Sequence, residues 1–159
     1  MIENWKDTAF GSDFGGDFLE LIETICVHEI TFDLIYKNTN LKTYIDKPEL
    51  LENKTDNNVY FTNSKFKQYI HFEDFIIGLS AIIAESSKNG IVDLTKAYGN
   101  KLLNFKLVKN EIEPIYIALK RIYQNPENYV LFEMCLDEER NETLKDVKDI
   151  ITVFELALK

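Results

Sequence analysis

FIIGLSAIIAESSKNG, residues 75–90, is nearly all apolar or small as far as Ala84 and turns polar before Asn89–Gly90. Phe75, Ile76, Leu79, Ile82 and Ile83 recur at three- and four-residue spacing, the period of an α-helix. A helix that is apolar on nearly every side must be surrounded by protein, so this one belongs at the centre of a helical domain. Asn89–Gly90 supplies a left-handed stop.

Outward from this centre, helical periodicity dominates. Phe14, Phe18, Leu21, Ile22 and Ile25 form one face of a first helix, with Asp17, Glu20 and Glu23 mostly opposite. Ser12 or Asp13 can cap it, and acids in its first turns suit the positive end of the macrodipole. Beyond Gly90, Asp93 caps an expected short helix through about Leu103. Asn110 opens another, with Ile112, Ile115, Tyr116, Leu119, Ile122 and Tyr123 on its apolar face and Pro114 near its first turn. Asn125–Pro126 stops that helix and starts the next. Asn141 to Leu158 reads as the last, with Leu144, Val147, Ile151, Phe154 and Leu158 on one face.

The segment from about Asn38 to Phe72 differs. NKTDNNVYFTNS (53–64) is polar and forms helix poorly. It reads as one long polar loop, with short helical turns around Lys47–Glu52 and Ser64–Tyr69 and a short strand at Val59–Phe61 that has no evident partner. The expected architecture is all-α: a single domain over residues 1–159, an irregular bundle of about six to seven helices interrupted by that loop.

Composition narrows the function classes. A 45% hydrophobic fraction in 159 residues supports a substantial core and excludes wholesale disorder. No apolar run approaches the ~20 residues that span a bilayer, and MIENWKD lacks the regions of a signal peptide, so the expected location is cytoplasmic. Net charge is −9, and residues 1–33 carry eight acids against Lys6 alone, which is −7 of it. Phosphate binding needs clustered cations, and the lysines here are scattered, with only Lys120–Arg121 adjacent in a tight pair. No nucleic-acid or membrane partner is expected. Acidic excess keeps a small protein soluble, and it also speeds encounter with a basic partner.

The residues offer no catalytic constellation. Asp13 and Asp17 lie four apart, on one helical face, but no His, Lys or Arg converges on them. Asp137, Glu138 and Glu139 diverge by about 100° each on a helix, which suits a solvated helix end or the rim of a partner site better than a metal site. Gly11, Gly15 and Gly16 are flanked by acids that would repel a phosphate, and no Lys-Ser/Thr follows. His28 and His71 are too far apart for a zinc motif, and Cys26 and Cys135 sit in apolar patterns as free thiols. Neither cofactor nor metal is expected. Tyr60, Phe61, Phe66 and Tyr69 lie among polar residues, where two roles are open: anchoring the loop to the core, or presenting an aromatic patch to a partner.

Trp5, four residues, Phe10, two residues, Asp13, three residues, Asp17-Phe18 resembles the N-terminal signature of a family of small acidic bacterial proteins. There a Trp-Gly-x-Gly-x-Phe stretch leads to Asn-Asp, an alanine, and Asp followed by Trp or Phe. Here Ser12 stands for Asn, Gly15 for Ala, and Lys6 and Thr8 for the glycines. The small-residue helix Gly78–Gly90 and Ala118-Leu119 are similar to later parts of such proteins. In size and charge the chain resembles immunity proteins of polymorphic-toxin and contact-dependent growth inhibition systems. That resemblance implies a non-enzymatic inhibitor of a cognate, basic toxin domain such as a nuclease. Asp13, Asp17, Glu20, Glu23 and Asp137, Glu138, Glu139 are then the expected contact acids, with Tyr60 and Phe61 as anchors. The competing reading is a helical adaptor or regulatory binding module with no toxin partner.

Overall fold

The computed structural model describes residues 13–52, 57–62, 68–133 and 135–159. In chain order its elements are α1 (Asp13–Ile25), β1 (Glu29–Ile30), α2 (Phe32–Asn38), α3 (Leu41–Asp46), β2 (Asn58–Tyr60), β3 (Tyr69–His71), α4 (Phe72–Asn89), β4 (Val92–Asp93), β5 (Leu102–Phe105), α5 (Lys109–Gln124), α6 (Val130–Glu133) and α7 (Asp137–Ala157). Single 3-10 turns occupy Pro48–Glu52, Leu94–Lys96 and Pro126–Asn128. The protein is mostly helical, as its periodicity requires. Trp5, Phe10, Ser12, Ser64 and Phe66 lie outside the described residues.

Helix α4 is buried from Phe72 through Ser86, and Gly90 at φ 75° ends it with its N–H on the Ser86 carbonyl. A buried Phe, Ile or Leu stabilises by about 1.5–3 kcal/mol, and α4 contributes Phe72, Phe75, Ile76, Ile77, Leu79, Ile82 and Ile83. That surplus lets its first turn bury two acids, Glu73 and Asp74. Helices α5 and α7 pack on α4 and on each other. Their contacts come from Ile112, Ile115, Leu119 and Ile122 on α5 and Val147, Ile150, Ile151 and Phe154 on α7. Helix α1 crosses α4 where Gly78 lies under the Phe18 ring; a Cβ on Gly78 would stand 2.9 Å from that ring. The Phe18 edge meets Phe75 at 5.1 Å, nearly perpendicular.

Five expectations change. Asp93 does cap a turn, accepting from the Thr95 N–H at 3.0 Å, but that turn is only Leu94–Lys96. Leu102–Phe105 is a strand, since Leu103 and Phe105 face inward alternately with exposed Leu102 and Asn104. It is the middle of a three-stranded sheet, parallel to β1 and antiparallel to β4. Second, α7 begins at Asp137 and not at Asn141, so Asp137–Glu139 open a helix instead of closing one. Acids in a first turn complement the helix dipole, and Leu136 stands at the cap. Third, Val59–Tyr60 has a partner: β2 pairs antiparallel with β3, so Tyr69 is strand and not helical turn. Fourth, the 38–72 segment is not one loop. It holds α3, the expected turn at Pro48–Glu52 and the hairpin. Helix α2, capped by Thr31 accepting from the Leu34 N–H at 3.1 Å, precedes it. Fifth, Pro114 sits deeper in α5 than the first turn and has no N–H for the Asn110 carbonyl.

Candidate functional site

Asp17, Glu20 and Glu23 are half-buried or exposed on α1, whose Phe18, Leu19, Leu21 and Ile22 are buried. Asp13 heads the helix, Asp17 is half-buried and Glu20 is exposed. Opposite them runs the loop between β4 and β5, held against the end of α1 by contacts nearly eighty residues apart in sequence. The Glu23 carboxylate accepts the Asn100 N–H at 2.5 Å. The Lys101 ammonium donates to the Glu23 carbonyl at 2.6 Å and the Cys26 carbonyl at 3.3 Å. A cation on the terminal carbonyls satisfies acceptors that the helix leaves open and suits the dipole. Gly99 is required here because a Cβ would collide with the Glu23 carboxylate and Leu94.

Between helix and loop lies a groove of about 350 Å³ lined by Gly16, Leu19, Glu20, Glu23, Thr24 and Tyr98–Lys101. Tyr98 is 58% exposed on it. An exposed tyrosine beside acids combines the two features that binding sites for basic protein surfaces need: an amphipathic anchor and negative potential. Glu20 and Glu23 were legible in the sequence; Tyr98 was not, since nothing local distinguishes it from a solvated loop residue.

The other expected residues divide. On the outer face of the hairpin, Tyr60 and Tyr69 are exposed with their rings 5.7 Å apart, and His71 lies 6.4 Å from Tyr69. Phe61 is buried and joins the core, as are Val59 and Ile70. Phe61 thus ties the segment to the core, and its burial leaves it little surface for the partner contact expected of it, whereas Tyr60 is exposed. The free edge of β2 is covered by Asn40, whose side-chain oxygen accepts the Tyr60 N–H at 2.7 Å, while the Tyr44 hydroxyl donates to the Asn58 carbonyl at 3.0 Å. Asp137, Glu138 and Glu139 are exposed on α7. That helix packs on α4 and α5, whereas α1 packs on α2, α4 and β3, so these two acidic sets belong to different parts of the structure.

A further pair of acids is buried. Glu73 accepts the Leu131 N–H at 3.1 Å, which caps the short α6. Burial pushes its carboxyl above the usual range, and hydrogen bonds with Leu131 and Val130 pull the other way. Asp74, 7% exposed, has one carboxylate oxygen with no partner. Burial and the neighbouring Glu73 push it up to about 8. Glu73→Ala should cost about 2–3 kcal/mol in urea denaturation by orphaning the α6 N–H groups, with Glu73→Gln costing less because an amide oxygen still accepts. Equal losses would show that capping is not what Glu73 contributes.

Elsewhere, α3 and the Pro48–Glu52 turn face α5 across a cleft of about 440 Å³. Tyr44, Ile45, Leu51, Phe72, Pro114 and Ile117 line it together with Lys42, Asp46, Glu113 and Arg121. A second cleft of about 510 Å³ continues past Arg121 to Asn125 and Asn128.

Neither thiol is tuned as a nucleophile: burial pushes Cys26 up to about 11 and raises Cys135. Among the described residues, no three of His, Cys, Asp and Glu gather so as to hold a metal ion, and no helix is long and apolar enough to cross a membrane. In comparison with known proteins, the family model described as Immunity protein 68 matches residues 1–153. No curated protein and no solved structure matches the chain.

Proposed function

The chain belongs to the Immunity protein 68 family, and from that membership we propose that it binds and neutralises a cognate toxin domain with a basic surface, such as a nuclease. The observation that carries the reading is the groove between α1 and the 98–101 loop, where Glu20 and Glu23 meet exposed Tyr98. Asp13 and Asp17 extend its charge along α1. Acids on this face steer a cationic partner and pair with its Lys and Arg, while Tyr98 supplies contact area at low entropic cost. Tyr60, exposed beside Tyr69, and the Asp137–Glu139 turn are further contacts in this reading. The action is inhibition by occupancy, with no chemistry done on the toxin.

Co-purification with the product of the adjacent reading frame, followed by calorimetry, tests the proposal. Glu20→Lys combined with Tyr98→Ala should weaken the complex about 100-fold, since each site is expected to contribute about 1.4 kcal/mol or more. Association should also slow steeply as salt rises. Unchanged affinity in the double variant would remove this groove from the interface. Failure to bind or to protect cells from any neighbouring toxin would remove the function.

A further inference from the structure

The cleft between α3 and α5 has an order that a simple apolar pocket lacks. Glu113, Ile117 and Arg121 lie at successive four-residue steps on α5, so they form one stripe about 12 Å long. All three line the cleft. Among the described residues, neither the Glu113 carboxylate nor the Arg121 guanidinium has an ion-pair partner. The facing wall is neutralised internally, because Lys42 pairs with Asp46 at 2.8 Å. The cleft therefore has an acidic end, an apolar middle in which Ile117 is 46% exposed, and a cationic end. Pro114 reinforces the first pole: it gives no N–H to the carbonyl of Asn110, which lines the same end.

We propose that this cleft receives an extended segment of the toxin partner with a basic, a large apolar and an acidic side chain at alternate positions, set against Glu113, Ile117 and Arg121. In an extended chain, side chains at alternate positions share a face, and the first and third of three lie about 13 Å apart. That span matches the stripe. A partner helix would need two turns, residues i, i+4 and i+8, to span the same distance and would bring a cylinder about 10 Å wide to the cleft, whereas five extended residues reach both poles. The guanidinium pairs bidentately with the carboxylate, and the apolar side chain enters the middle of a cleft of about 440 Å³. Opposite charges balance here, unlike at the α1 groove, so the cleft sets register and selectivity while the groove supplies attraction. The identity of the partner rests on the immunity reading; the peptide chemistry does not.

The full-length protein is titrated with the capped pentapeptide acetyl-Lys-Thr-Leu-Thr-Glu-amide and followed by amide chemical shifts. Saturable shifts confined to α3 and α5, with Kd below about 1 mM, are expected. Arg121→Glu and Ile117→Asp, each checked for fold by circular dichroism, should weaken binding about tenfold. A peptide with its charges adjacent, acetyl-Lys-Glu-Leu-Thr-Thr-amide, should bind at least about threefold more weakly. In the toxin complex, Arg121→Glu should again cost about tenfold. No saturable shifts in the cleft, or peptide binding indifferent to both variants, overturns the proposal. So does a toxin that binds both variants as tightly as the native protein. If the native protein binds no toxin, the immunity reading fails and the peptide titration alone decides the cleft.

Discussion

Raising the pH from about 4 to about 8 should remove on the order of 5 kcal/mol of folding stability through Asp74 alone. The sign follows from where the proton sits. In the unfolded chain Asp74 ionises at its ordinary value of 3.8, whereas burial holds the folded carboxyl up to about 8. Between those values the native state carries a proton that the unfolded state has lost, so each pH unit favours unfolding by about 1.4 kcal/mol. The contribution is fully present below the lower value, declines through the interval and is gone above the upper one. The start of α4 opposes this by favouring a negative charge, but that effect is at most about 2 kcal/mol and is overcome by desolvation with one oxygen unpartnered. A loss of this size is comparable to the whole stability of many domains.

Urea denaturation across that range checks it. Asp74→Asn keeps the shape and removes this group, so its stability should fall much less with pH than that of the native protein, the remaining slope coming from the raised Glu73 carboxyl, and should exceed the native value by several kcal/mol at pH 9. A native curve as flat as the variant's would show that Asp74 is hydrated or paired in solution.

The second large effect lies at the crossing of α1 and α4. Phe18→Ala should cost about 3–5 kcal/mol, because the ring is almost fully buried against Phe75 and the Gly78 backbone, and neither helix can follow it inward. Gly78→Ala should also destabilise, by about 1–3 kcal/mol, since its methyl would press on the same ring at 2.9 Å. The two losses should not add. With the ring gone, the new methyl occupies space the ring has left, so the double variant should be more stable than the sum predicts by about 1 kcal/mol or more. Additive losses would mean that the helices do not meet through this pair.

This crossing also positions the candidate site. Helix α1 carries Glu20 and Glu23 on the side opposite Phe18 and Ile22, so a shift of α1 on α4 moves the acids relative to Tyr98. Phe18→Ala should therefore affect partner binding as well as stability, whereas Glu20→Lys should affect binding alone.

Much of this was written locally. Phe75 to Gly90 announces a buried helix because Phe75, Ile76, Leu79, Ile82 and Ile83 keep helical spacing in a stretch apolar or small on nearly every side, and Gly90 marks its end. The inner faces of α1, α5 and α7 are legible for the same reason. Strands of two to four residues print no such period, so β1, β4 and β5 are invisible until they pair. The start of α7 was hidden because Asp137–Glu139 have no apolar stripe, yet they are good first-turn residues once the chain has turned there.

The acidic character of α1 was likewise legible, as was its freedom from the apolar face. That Glu23 would hold Asn100, that Lys101 would close the α1 terminus and that Tyr98 would thereby stand beside Glu20 were not. The opposed poles of the α5 cleft and the raised Asp74 have the same origin. Periodicity and charge are properties of neighbours along the chain, and the sequence by itself determined the long helices α1, α4, α5 and most of α7 and the sign of their outer faces. Which side chains meet across the chain, and which carboxyl loses its water, depends on packing between distant segments, and only the tertiary structure decided that.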